Sequence, residues 1–128
     1  HIFALVHDCK REDEGLDPEH GWRAAEFIRE NQDGLFSFLD ESQIDTLTLA
    51  CELHSDGMTH TEPWIQSCWD ADRLDLWRVE IEPDALFMSS EHAKSNNVIR
   101  QSRVLQTANP WRSELASIDQ ARAFERAG

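Results

Sequence analysis

Long apolar runs are missing from this sequence: no stretch approaches the roughly 18 uninterrupted apolar residues of a membrane-spanning helix. Nor is there the basic, apolar and small-residue succession of a secretory signal, so a soluble, cytoplasmic protein is expected. Basic residues are scarce, twelve Lys plus Arg against twenty-five Asp plus Glu, for a formal charge of −13. Such a balance disfavours a sequence-independent grip on a nucleic-acid polymer or an anionic membrane, and leaves room for a small anion in a locally basic pocket. The three cysteines, Cys9, Cys51 and Cys68, are odd in number and lack a CxxC spacing. That excludes a zinc ribbon and argues against a disulfide framework. Cys51 and Cys68 fall on apolar faces and read as small buried thiols. Alternating strand patterns, internal repeats and low-complexity tracts are also lacking, so helical periodicity is the dominant signal.

What is present suits one all-α domain over residues 1–128, with five Trp and six Phe to build a modest core. The chain opens with His1 ahead of the apolar run Ile2-Phe3-Ala4-Leu5-Val6, which reads as the interior of an element, with something upstream of it missing. Asp17-Pro18-Glu19 predicts a helix start, with Asp as N-cap and Pro at the first position, running to about Gln32 before Asp33-Gly34. Asp40 followed by Gln43 predicts a second start, leading into Ile44, Leu47, Cys51 and His54 and closing at Asp56-Gly57. A third helix is predicted from Thr61-Glu62-Pro63 to about Arg78. Supporting helices are expected from Ser89-Ser90-Glu91 onward, with Asn96-Asn97 as punctuation and a tail carrying Trp111, Leu115, Ile118 and Phe124. The Trp side chains are large enough to anchor a homodimer, although core packing explains most such residues in a domain of this size.

His7 and Asp8 stand side by side where the first apolar run ends. Neighbouring helical residues point about 100° apart, so this doublet can meet one ion only from a helix end or a distorted last turn. A polar helix cap, with His favoured by the dipole, would look the same. His54 continues the stripe of Ile44, Leu47 and Cys51, as either a ligand or a hydrogen-bonded core imidazole. His20 shares a face with Ala24 and Phe27, but lies in a first turn where exposed His is common. Asp72 falls into the stripe of Ile65, Cys68 and Leu76, and a buried carboxylate needs an arginine, hydrogen-bond donors or a cation. Asp70, Asp72 and Asp75 crowd three acids together, a repulsion that a metal ion relieves. A His and carboxylate set without thiolate suits Fe, Mn, Ni, Co or Zn. Such a set leaves coordination positions for water, whose proton a divalent ion loosens toward neutral pH, and hydrolysis is the natural chemistry. Lys10, Arg11 and Arg73 lie near these ligands and could hold a phosphate, or form surface salt bridges.

Taken together, His7-Asp8, His54 and Asp70-Ala71-Asp72-Arg73-Leu74-Asp75 resemble the HD-domain superfamily of metal-dependent phosphohydrolases, and more closely an uncharacterised bacterial branch of it. The resemblance covers residues 1–84 and implies an HD-like helical bundle. It implies a divalent ion, Mg among the candidates, bound by His7, Asp8 and Asp72 with His54 as fourth ligand. The Ala-Asp-Arg-Leu string favours Asp72 over Asp70 as the ligand. His20 and Asp70 are then candidates for supporting the ligands from behind. Arg11 and Arg73 would neutralise developing charge, and Asp8 would guide a proton. The superfamily's first metal-binding His lies on a helix upstream of the doublet, ahead of this chain's first residue, and His1 does not fit that place. The implied partner is a small phosphorylated substrate, a nucleotide or other metabolite. Two rival readings are a non-catalytic metal- or ligand-binding regulatory module and a purely structural set of paired polar residues.

Overall fold

The computed structural model describes residues 1–13 and 15–108, and no strand occurs among them. Five α-helices follow one another: α1 (Ile2–Val6), α2 (His20–Glu30), α3 (Glu41–Leu53), α4 (Pro63–Leu74) and α5 (Asn96–Thr107), with 3-10 turns at Asp75–Val79 and Ala85–Phe87. The all-α expectation holds for these residues. The predicted tail helix, with Trp111, Leu115, Ile118 and Phe124, lies outside them. No described helix is long and apolar enough to cross a membrane.

Two helix starts form as their sequences predict. Asp40 caps α3 by accepting from the Gln43 amide, and the Gln43 side chain returns the bond to the Asp40 amide, a reciprocal capping box. Glu62 caps α4 by accepting from the Ile65 amide at 2.8 Å, with Pro63 in the first turn where no amide is needed.

Three boundaries differ from the sequence reading, each because a side chain finds another partner. Asp17 does not cap α2. Its carboxylate accepts from the Glu12 amide at 2.8 Å and from Arg23 at 2.6 Å, so the helix begins after Glu19. Those two partners, the amide first, hold the Asp17 carboxyl down at about 2. The predicted helix to Arg78 stays α-helical only to Leu74, then tightens to a 3-10 turn that ends at Glu80 in the left-handed region, φ 63°. Trp77 on that turn donates to Ser102 of α5 at 3.0 Å, and Arg103 covers its ring. Ser89 and Ser90 do not open a helix. Their amides and the Ser90 hydroxyl all donate to Asp70. The last helix among the described residues starts instead at the predicted punctuation, Asn96-Asn97.

The core gathers Phe3, Ile28, Ile44, Cys51, Ile65 and Trp69 from four helices. Trp69 is fully buried and donates its indole N–H to the Ala50 carbonyl at 2.9 Å, joining α4 to α3. The α2–α3 contact is the most extensive in the fold. It depends on Gly21, where a β-carbon would stand 2.5 Å from the Cys51 carbonyl oxygen and 3.0 Å from that of Glu52. The short helix α1 rests on both α3 and α4. Its C-terminal end is thereby brought between the end of α3 and the last turn of α4.

Candidate metal centre

His7 is the C-cap of α1, its amide still bonded to the Phe3 carbonyl. The next turn is tighter, with the Cys9 amide on the Val6 carbonyl. This is the distorted helix end that lets adjacent side chains face one point, and His7 Nε2 lies 3.7 Å from Asp8 Oδ2. Asp72 reaches in from α4, 3.3 Å from the same nitrogen. His54 follows the last residue of α3, and His20 opens α2; their Nε2 atoms lie 3.5 Å and 3.2 Å from Asp8 Oδ1. Three imidazoles and two carboxylates therefore converge from four segments of the chain.

The tautomers follow from the backbone. The Nδ1–H of His7 donates to the Phe3 carbonyl at 3.0 Å and that of His54 to the Cys51 carbonyl at 2.6 Å, while that of His20 donates to the Asp17 carbonyl. A carbonyl oxygen only accepts, so each Nδ1 carries the proton and each Nε2 turns a lone pair toward the carboxylates. The Nε2 atoms of His20 and His54 stand 2.9 Å apart. With both Nδ1 positions protonated, two lone pairs oppose each other there, an arrangement relieved by an added proton or a cation. Buried His7 Nε2 and Asp8 Oδ1 have no hydrogen-bond partner among the described residues. Leaving two such atoms unsatisfied costs free energy that coordination to a cation would recover. Two groups of donors have the spacing of a metal site, His7 with His54 and Asp72, and Asp8 with His20 and His54, each within 4.8 Å. The donor set fits a divalent ion that accepts imidazole. The Nδ1–H bonds to carbonyls are the outer contacts that orient such ligands.

Electrostatics adds to the geometry. Burial pushes the His54 imidazole below its ordinary range, favouring the neutral ligand form. Burial also works against charge on His7, but the hydrogen bond that a protonated Nε2 would give Asp72, with the charges of Asp72 and Asp8, outweighs it and raises His7 above 6.5. Asp72 mirrors this: burial opposes its ionisation, yet His7 holds its carboxyl below 3.8. The stability that His7 contributes is complete below 6.5 and is lost as pH rises through its raised folded value. The contribution of Asp72 is complete above 3.8 and is lost as pH falls through its lowered value. In metal-stripped protein, the thermal midpoint of the wild type minus that of Asp72→Asn is therefore expected to be largest between those two values and to shrink above neutrality. A difference that grew from pH 5 to pH 8 would contradict the pair.

The other predicted residues take different places. Arg11 approaches Asp8 Oδ2 at 3.6 Å. Asp70 points away, accepting three hydrogen bonds from Ser89 and Ser90. These bonds fasten the loop after α4. Arg73 does not meet Asp72. Its guanidinium donates to the carbonyls of Phe87, Met58 (2.6 Å) and His54 (3.5 Å) and lies over Trp69. It thereby ties the segments at Met58 and Phe87 to the end of α3 while lining the cavity. His20 is buried among the donors and not exposed. The pattern His20, Ala24, Ile28, together with Gly21, carried that signal. Arg78, absent from the sequence-level candidates, lies 3.8 Å from Asp8 Oδ2. Beside these residues opens a cavity of about 350 Å³, lined in part by Ser55, Leu76, Asp84 and Phe87.

The chain matches no protein-family model, no curated protein and no solved structure.

Proposed function

We propose that this chain is an HD-domain-like, metal-dependent phosphohydrolase that acts in the cytoplasm on a phosphate ester of a nucleotide or another small metabolite. The observation that carries the reading is the set of three Nε2 lone pairs and two carboxylates turned toward one another, with His7 Nε2 and Asp8 Oδ1 buried and unsatisfied. His7, His54 and Asp72 would hold an ion, with Asp8 and His20 completing the donor set. When bound, a divalent ion supplies Lewis acidity and lowers the pKa of a water molecule.

The chain's own groups do the rest. The Nδ1–H bonds fix each imidazole in the tautomer that ligates. Asp8 is held with one oxygen toward His20 and His54 and the other toward Arg11 and Arg78. It is thus placed to accept a proton on the cavity side. Arg11 contributes positive charge where a transferring phosphoryl group gains negative charge.

The test is elemental analysis of protein purified without chelator or a metal-binding tag, followed by a panel of phosphate esters with and without added divalent ions. Near-stoichiometric metal and metal-dependent turnover are expected. Metal with no turnover on any ester would replace the enzyme with a regulatory binding module, and protein that takes up no metal would leave the polar cluster as core structure.

A further inference from the structure

Sequence position nominates Arg73 as the cation facing the substrate, yet three of its N–H donors are committed to main-chain carbonyls. Arg78, by contrast, comes close to Asp8. The reason is local. In an unbroken α-helix, Arg78 would point about 120° away from Asp72; three 3-10 steps from Asp75 reduce that to about 60°. The tightened turn thus swings Arg78 over the centre, where its Nη2 lies 3.8 Å from Asp8 Oδ2, with Arg11 Nη1 3.6 Å from the same atom. Both distances exceed a hydrogen bond, so Asp8 attracts the two guanidinium groups without saturating their donors. Arg78 is anchored through Nε, 3.1 Å from Asp75, and the two forks border the same cavity.

We propose that Arg78, paired with Arg11, grips the phosphoryl oxygens of the substrate, and that this substrate is a phosphate monoester. The proposal rests on the phosphohydrolase reading and narrows it. Charge selects the class. Three carboxylates (Asp8, Asp72, Asp84) and three arginines (Arg11, Arg73, Arg78) line the cavity. These six side chains balance one another in formal charge, and one divalent ion adds two positive charges. A monoester, at about −1.5 to −2 near neutral pH, matches that charge, whereas a diester brings a single negative charge and leaves it half compensated. A volume of about 350 Å³ lies toward the small end of ligand cavities. Leu76 and Phe87 give part of its wall an apolar surface for the non-phosphate portion.

The experiment is calorimetric titration of the metal-loaded full chain with inorganic phosphate and with dimethyl phosphate, in the wild type, Arg78→Ala and Arg78→Lys, with metal content read first in each. Phosphate is expected to bind at least tenfold more tightly than dimethyl phosphate. Arg78→Ala should weaken phosphate at least tenfold while keeping its metal, and Arg78→Lys should fall between, having the charge without the planar fork. Because Arg78 is 44% exposed, neither variant is expected to unfold. Equal affinity for the two probes, or phosphate affinity within twofold of wild type in Arg78→Ala, overturns this proposal and leaves the phosphohydrolase reading standing. Absence of metal from the wild type overturns both, at the step before phosphate is added.

Discussion

Asp72→Ala is expected to strip divalent metal from the protein and abolish metal-dependent ester cleavage while the helices remain folded. Its carboxylate belongs to the donor group with His7 and His54, and its removal leaves two imidazoles without the anion that holds them at the ion. Changing a residue that merely orients a ligand typically lowers metal affinity by about 10–100-fold, so loss of a ligand should exceed that range. The decisive comparison is Asp70→Ala, two residues away on the same helix. Asp70 accepts hydrogen bonds of 2.6, 2.9 and 2.6 Å from the Ser89 and Ser90 amides and the Ser90 hydroxyl. Its loss should cost about 1–3 kcal/mol in stability, through the unsatisfied donors, with metal retained. Full metal content in Asp72→Ala would sink the ligand assignment. Equal metal loss in both variants, tracking their melting temperatures, would reduce it to a folding effect.

The second large effect is expected at Gly21, where two physical rules give opposite signs. Gly inside a helix is less favourable than Ala by about 1 kcal/mol, so propensity alone predicts that Gly21→Ala stabilises α2. Packing predicts the reverse. The new methyl would meet the Cys51 carbonyl at 2.5 Å, the Glu52 carbonyl at 3.0 Å and His54 Nδ1 at 3.2 Å. Two of those atoms are backbone and cannot rotate away, so α2 and α3 must separate. Overpacking of this kind costs about 1–3 kcal/mol even where side chains can adjust, enough to outweigh the propensity gain. The damage also reaches the centre, because the Cys51 carbonyl holds the His54 tautomer and His20 precedes the glycine. Gly21→Ala should therefore lower the melting temperature and weaken metal binding together. A variant more stable than wild type, with unchanged metal affinity, would show that the helix pair yields where the structure says it cannot.

Much of this was legible in the sequence because the signals were local. The Asp40–Gln43 capping box, Pro63 in a first turn, and the stripes that turn His54 and Asp72 inward are all readable within a few residues. The His7-Asp8 doublet at the end of an apolar run is equally local. What escaped was set by contacts between distant segments. Asp17 looks like an N-cap until Arg23 and the Glu12 amide claim it, and the resulting shift in the start of α2 accompanies a buried His20. Asp70 and Asp72 are equivalent acids in one string, separated only when the loop at Ser89 and Ser90 captures one of them. Arg78 required a helix that changes pitch at Asp75, where α5 bonds to Trp77 and Asp75. Arg73 sits beside the ligand in sequence but answers carbonyls fourteen to nineteen residues away.

His54 belongs to both donor groups, yet its Nδ1 is tied to Cys51 and only Nε2 is available. One lone pair serves one ion. Were both groups to take ions, they would compete thermodynamically: occupancy at one would raise the dissociation constant at the other, and by reciprocity the penalty would be the same in either order of filling. A carboxylate with two oxygens can be shared between neighbours, and Asp8 has both; an imidazole with one free nitrogen cannot. Through its bond to His54, the Cys51 carbonyl would thereby set the loading of one group against that of the other.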